Sequence, residues 1–316
     1  MNIVVVFTIN NKFATPTYIA INSLFKNAEK QTVYECIVIS NNLCKMNKTT
    51  IESLAQNTRH SIRCISVEDE LIYAPKVTNL WPKVVYYRLY LCEILGEYKK
   101  IIYSDVDVFF KGDLSDVWSM EIDNIEIAAV AAEKNNENVV IHQYYKENKK
   151  EYIYWDGFMV MNLELMRKNN WIKRCLKNLE MKQDSIKMFD LEIINLTAQA
   201  IKRLPLRYVF LQTLYDLENI EESDDYIFLK KLYSKEEILD EKKNVIIVHY
   251  AGGEGKPWIR KNIPSYYISY MVDLPLLLKL QNYYWRIEDR CRKKVSYYIN
   301  LVRNKKKNYE GKKSII

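Results

Sequence analysis

The sequence predicts an open α/β fold, a sheet flanked by helices, followed by a basic helical extension. Short apolar runs of buried-strand length alternate with amphipathic stretches through the first half. Polar residues stand directly after several of those runs, where open α/β sheets hold their ligands. The C-terminal end is crowded with lysine and arginine.

Element by element, IVVVFTI (3–9) is a continuous apolar run and reads as the first buried strand. Ile19, Leu24 and Phe25 give 14–26 helical spacing, and YECIVIS (34–40) is the next strand. Residues 47–57 read as a helix capped by Asn47, and IRCISV (62–67) as a third strand. The stripe in WPKVVYYRLYLCEIL predicts a helix over 81–95, ended by Gly96. KKIIYSDVDVFF (99–110) is a fourth strand and EIAAVAA (126–132) a fifth. Single helices between strands imply parallel pairing through right-handed crossovers.

The second half is less regular. A strand is expected over 157–163, helices over 164–179 and 190–201, and a last apolar strand at NVIIVHY (244–250). That strand runs into a Gly-rich loop, AGGEGKPW. Residues 274–298 read as a helix, and RNKKKNYEGKK beyond it as a solvated, flexible end. No internal repeat and no linker between independent domains is visible.

The 316 residues are 48% hydrophobic and 28% charged, as in soluble globular proteins. Only seven glycines and seven prolines argue against widespread disorder. The six cysteines form no CxxC pair and several sit in apolar segments, which favours a reducing cytosol over a disulfide framework. The segment MNIVVVFTINNKF lacks a basic n-region and a cleavage site, so it reads as a strand rather than a leader. No apolar stretch reaches the roughly 20 residues that span a bilayer, so the chain is expected to be soluble or at most peripheral. Residues 286–316 hold eleven Lys or Arg against three Asp or Glu, a net +8. The whole chain carries +7, which leaves the body near −1.

No GxGxxG follows the first strand and no GxxxxGK[ST] occurs, which excludes the dinucleotide and P-loop fingerprints. What stands at strand ends is Asn10-Asn11, Asp105 and Asp107, and His249. The two aspartates are either surface charges or a pair set to hold a metal. Their position between IIY and VFF argues against a solvated patch. His249 is either a satisfied half-buried residue or a third ligand. Two carboxylates and an imidazole would suit manganese or magnesium, with positions left for phosphate oxygens. Glycines in the loop after His249 would let backbone N–H groups approach anionic oxygens, with Lys256 as a point charge.

Five segments occur in an order and at spacings that resemble glycosyltransferase family 8, the retaining enzymes of GT-A fold. They are VVYYRLYLCEIL, KKIIYSDVDVFFKGDLSDVW, YWDGFMVMNL, DLEIIN and HYAGGEGKPW. The resemblance covers about residues 1 to 260 and extends to bacterial lipooligosaccharide galactosyl- and glucosyltransferases and, more distantly, glycogenin. It implies a Rossmann-like, nucleotide-sugar-binding mixed sheet over 1–265 and a basic helical extension over 266–316. It also implies a UDP-sugar donor and manganese or magnesium held by Asp105, Asp107 and His249. Thr8, Asn10, Asn11, Arg88, Asp105, Val106, Gly252 and Lys256 would surround the donor nucleotide and its diphosphate. Lys256 would neutralise the departing UDP, and Asp190 and Asp156 would serve the reaction beside the donor sugar.

Several positions depart from the family pattern. Asn10 and Asn11 stand where acidic residues are usual, Leu191 replaces a glutamine and Glu192 an aspartate. Trp155 and Asp156 replace Asn and Ala before a glycine. An alternative reading follows from these departures: a non-catalytic GT-A-fold protein that binds a membrane or partner. In the extension, Tyr283, Tyr284, Trp285, Tyr297, Tyr298, Ile299, Leu301 and Val302 interleave with Lys and Arg. Aromatic rings beside positive charge suit an anionic bilayer surface. Nucleic acid is not expected, because the body offers no matching basic groove. The expected setting is the cytoplasm, peripheral on the inner face of the plasma membrane, with a glycan or glycolipid as acceptor.

Overall fold

The computed structural model describes every residue except 69, 71, 76, 79–81, 252–255, 260–262 and 314–316, and side chains as far as Val295. The chain forms two compact units, Met1–Glu254 and Gly255–Ile316.

The first unit is α/β. Its strands are β1 (Asn2–Thr8), β2 (Val33–Ser40), β3 (Ser61–Ser66), β4 (Lys100–Ser104), β5 (Val108–Phe110), β6 (Ile127–Lys134), β7 (Tyr152–Asn162), β8 (Ile201–Leu204), β9 (Phe210–Leu211) and β10 (Ile247–His249). Among the described residues they make a seven-stranded sheet, β3-β2-β1-β4-β7-β6-β8, and a small sheet, β5-β10-β9. The apolar runs read from the sequence are its centre: Ile3, Val5, Val6 and Phe7 are fully buried, as are Ile101, Ile102 and Tyr103. Each such side chain contributes about 1.5–3 kcal/mol by leaving water.

The sheet is mixed, because β7 runs antiparallel to both β4 and β6, while β1–β2, β1–β4 and β6–β8 are parallel. Parallel pairing therefore holds only where a helix or its equivalent connects the strands. Residues 99–110 are not one strand. Asp105, Val106 and Asp107 interrupt it, β4 belongs to the large sheet, and β5 pairs with β10 in the small one.

Other boundaries differ for local reasons. Residues 83–90 wind as a 3₁₀ helix before a single α turn at Leu91–Ile94. The helix expected over 164–179 is two, Leu163–Lys168 and Trp171–Lys182, separated by Asn170 in the left-handed region (φ 53°). Asn tolerates that conformation because its side chain bonds locally. The strand expected from 157 begins at Tyr152, and the helix expected to reach 201 ends at Thr197, before β8. Asn47 is not a cap: the helix starts at Lys45, and the buried Asn47 amide donates to Asn11 Oδ1 at 2.9 Å.

In the second unit, helices span Ser265–Val272 and Leu276–Lys313. Pro275 marks the break between them. The stretch RNKKKNYEGKK, expected to be a solvated, flexible end, is helical as far as Lys313. Trp258 packs against Trp285 at 6.0 Å between ring centroids, and Arg286 Nε donates to the Trp258 carbonyl at 2.7 Å.

Candidate active site

The interruption at Asp105–Asp107 assembles the site. The Asp105 N–H donates to the Gly157 carbonyl of β7 (2.8 Å), and the Tyr250 N–H, just past β10, donates to the Asp107 carbonyl (2.8 Å). Backbone from both sheets thus fixes each aspartate. In the antiparallel β5–β10 pair His249 stands opposite Val108, the residue after Asp107. His249 Nε2 lies 3.3 Å from Asp107 Oδ1 and 3.9 Å from Asp105 Oδ2, and one ligand atom from each of the three residues falls within 4.8 Å of the others. Residues 142 and 144 positions apart in sequence meet because the chain passes from the large sheet to the small one between β4 and β5.

Gly157 makes that approach possible. A Cβ there would stand 2.7 Å from His249 Cε1 and 2.9 Å from Asp105 Oδ2. Any larger residue would displace His249 and Asp105.

Arg88, buried, gathers the other acids. Its guanidinium lies 2.9 Å from Asp105 Oδ1, 3.2 Å from Asp156 Oδ2 and 2.8 Å from Asp190 Oδ2. It also donates to the Asp156 carbonyl oxygen (3.1 Å) and lies over the Tyr103 ring at 4.6 Å. The Tyr103 hydroxyl donates to Asp105 Oδ1 (2.9 Å) and is 3.1 Å from Thr8 Oγ1. One guanidinium faces three carboxylates, and Asp107 adds a fourth nearby, so the cluster carries excess negative charge. Burial pushes the Asp105 carboxyl above the usual carboxylate range, with Arg88 pulling it back and Asp107 pushing it further. Asp190 is pushed well above that range by burial, against the pull of Arg88 and with the push of Asp156.

Asp190 is delivered by an unusual backbone. Phe189, at the start of the helix Phe189–Thr197, has φ 48°. That value is costly for a bulky side chain, of order 1–3 kcal/mol, and residues so held cluster at functional sites.

The remaining expected residues have distinct placements. Asn10 accepts from the Lys12 N–H (3.0 Å) and caps the short turn after β1. Asn11 accepts from the Cys44 N–H (2.9 Å) as well as from Asn47, so its carbonyl ties two loops together. Val106 is buried between the two aspartates. Lys256 is half-buried in the second unit. Gly252 lies outside the described residues, as do the side chains of Tyr297, Tyr298, Ile299, Leu301 and Val302. Leu191 and Trp155 belong to one small apolar cluster with Tyr145 and Ile153, and Trp155 meets Phe228 edge-to-face at 6.4 Å.

Tyr103 and Gly157 were not anticipated as site residues. A tyrosine two places before Asp105 looks like ordinary strand core, but the glycine, one of only seven, inside a strand pattern was a usable signal of close approach.

Two carboxylates and an imidazole converging at a point of uncompensated negative charge fit a divalent cation that favours oxygen and nitrogen donors. Asp105, Asp107 and His249 would hold it, and Arg88 and Tyr103 would orient Asp105.

Comparison with known proteins places this arrangement. The family description "Glycosyl transferase family 8" matches residues 4–262. The chain is 23% identical over 310 residues to a putative glycosyltransferase of Haemophilus influenzae, covering 90% of this chain and 88% of that one. It is 23% identical over 211 residues to the lipopolysaccharide 1,2-glucosyltransferase of Escherichia coli K12, covering 66% of this chain and 59% of that enzyme. Its fold is similar to that of the galactosyltransferase LgtC in complex with donor and acceptor sugar analogues. The TM-score is 0.71, with 19% identity over 88% of this chain and 100% of that one. With four-fifths of its length matched and the GT-A sheet in place, the chain belongs to glycosyltransferase family 8.

Proposed function

We propose that the chain is a metal-dependent, retaining glycosyltransferase. It would move a hexose from a donor of the UDP-glucose or UDP-galactose type to a hydroxyl of a bacterial surface glycan or glycolipid. The convergence of Asp105, Asp107 and His249 carries this reading. Asp105, Asp107 and His249 would hold manganese or magnesium, which would supply positive charge to stabilise UDP as a leaving group. By the family resemblance alone, Lys256 would offer a point charge to a diphosphate. Thr8, Asn10, Asn11 and Val106 would line the nucleotide, the two asparagines through whatever donors and acceptors their loop bonds leave.

Arg88 organises the site rather than gripping phosphate: it orients Asp105 toward the metal position and fixes Asp156 and Asp190 on the sugar side. Those two acids would hold donor-sugar hydroxyls. With Leu191 in place of a polar side chain, we infer no protein nucleophile for the far face of the sugar among the described residues. The acceptor hydroxyl therefore attacks C1 from the face that UDP leaves. Its O–H bond breaks, the new C1–O bond forms as the C1–phosphate oxygen bond breaks, and the proton passes to the departing phosphate. Trapping a sugar covalently on Asp156 or Asp190 by mass spectrometry would overturn that route.

The second unit supports docking on an anionic bilayer surface at the cytoplasmic face. Leu276, Leu280, Tyr283, Tyr284 and Ile287 are exposed and share one face of their helix, with Lys279 and Arg290 beside them. Among the described residues no helix is long and apolar enough to cross a membrane. Vesicles rich in anionic lipid should co-sediment the chain and release it when residues 286–316 are removed. Equal binding of both forms would take residues 286–316 out of the docking surface, and no binding by the full chain would exclude the membrane.

The activity is tested by UDP-sugar hydrolysis across a panel of donors, with and without manganese. Manganese-dependent hydrolysis of one UDP-hexose is the expected result. Silence with every donor, in a folded protein, would favour a GT-A-fold binding module instead.

A further inference from the structure

The segment 135–151, between β6 and β7, has no regular structure but is pinned along its length. Glu133, at the end of β6, accepts from the backbone N–H groups of Val140 (2.6 Å), Ile141 (3.1 Å) and His142 (2.8 Å), and its carboxylate lies 2.8 Å from His142 Nδ1. The Asn135 amide donates to the carbonyls of Tyr145 (3.1 Å), Asn148 (2.9 Å) and Lys150 (3.2 Å), while its own carbonyl accepts the Tyr145 N–H (2.9 Å). Asn148 in turn donates to the Asn195 carbonyl (2.8 Å), on the helix that carries Asp190. Long structureless loops inside compact domains usually have a task.

What this loop delivers is Tyr145. The ring is fully buried against Ile153 and Leu191, with Trp155 packed on the same cluster. Leu191 stands between Asp190 and Glu192, and Trp155 directly precedes Asp156. Tyr145 therefore sits between the two chain segments that carry the sugar-side acids. Leu191 and Asp156 are buried as well, at 8% and 9% exposure.

The Tyr145 hydroxyl is buried and has no hydrogen-bond partner among the described residues, and the same is true of Glu192 Oε1. The other Glu192 oxygen is engaged, accepting from the Lys187 N–H at 3.1 Å. Sealing polar oxygens away unpartnered is costly, and such groups call for a reason. Burial, then the charges of Glu192 and Asp156, push the Tyr145 phenol well up, so it stays neutral and can donate.

We propose that Tyr145 is a donor-sugar recognition residue, acting with Glu192. The phenol donates to one hydroxyl of the hexose seated beside Asp156 and Asp190, and that hydroxyl or its neighbour donates to Glu192 Oε1. A site of this kind selects a sugar with a free hydroxyl over the deoxy analogue, whose binding would leave both oxygens unpaired. The inference rests on the reading of the chain as a UDP-hexose transferase.

Tyr145→Phe removes one oxygen and keeps the ring. Three readouts decide its role: thermal midpoint, calorimetric affinity for UDP with manganese, and hydrolysis of the preferred UDP-hexose and its monodeoxy analogues. The midpoint should not fall and UDP should bind as before. Hydrolysis should drop about 10- to 100-fold, and discrimination against one deoxy donor should disappear. Wild-type hydrolysis and wild-type discrimination in the variant would overturn the inference and leave the hydroxyl a structural group. A wild-type protein that hydrolyses no UDP-hexose would instead overturn the activity on which it rests.

Discussion

The ligand cluster of Asp105, Asp107 and His249 and the acid pair of Asp156 and Asp190 flank a single guanidinium, yet different parts of the chain hold them. On the metal side, backbone hydrogen bonds from β7 and from the residue after β10 clamp both aspartates, and Gly157 leaves no room for error. On the sugar side the acids depend on side chains: Arg88 grips them, Phe189 strains to present one, and the surrounding surface is the apolar Leu191–Trp155–Tyr145 cluster. On the proposed assignment, sheet topology would set the chemistry of the leaving group, and the identity of the sugar would be left to side chains that can change without disturbing the sheets.

Arg88→Met strikes both halves and should have the largest effect. It leaves three largely buried carboxylates without their counter-charge, at a cost of about 3–5 kcal/mol in chemical denaturation. A loss below about 1 kcal/mol would mean that the acids already share protons and need no cation. Gly157→Ala separates the halves. Its methyl group would press on His249 and Asp105, so divalent-metal affinity should fall about 10- to 100-fold by calorimetry, with little change in the sugar-side acids. Leu191→Gln acts on the other half: an amide in the apolar cluster should cost about 1–3 kcal/mol and shift donor preference while metal affinity stays put. Altered metal affinity in that variant would mean the halves are coupled.

The smallest expected effect is on pH dependence. The Asp105 carboxyl is raised in the folded protein, so the fold retains that proton to higher pH than the unfolded chain does. Its stabilising share is full below the ordinary carboxylate value and is lost as pH rises through the raised one. A cation binding there must displace the proton. The rise in thermal midpoint on adding manganese should therefore be larger at pH 8 than at pH 5, and a flat response would contradict the raised carboxyl.

The contrast between the halves also explains what the sequence disclosed. Asp105, Asp107 and His249 were legible because each is a polar residue ending an apolar run, a pattern that survives without knowing the topology. That the chain changes sheets at Val106 was hidden, since VFF continues the apolar run as a single strand would. The strands β8 and β9 were missed because one alternates weakly, with Lys202 and Arg203 exposed, and the other is only Phe210–Leu211. Arg88 was legible only through the family likeness. Tyr145 gave no signal at all: one tyrosine among 25 in a polar stretch, its position is fixed by Glu133 and Asn135, which sequence spacing does not connect to it.

The central claim is that Asp105, Asp107 and His249 form a metal site serving a nucleotide diphosphate. Calorimetric titration of manganese into the wild-type chain and Asp107→Asn, each with and without UDP, tests it most directly. Saturable binding that UDP strengthens is expected in the wild type, with a loss of at least about tenfold in the variant, whose metal-free thermal midpoint should not fall. Equal manganese affinity in the two proteins would contradict it.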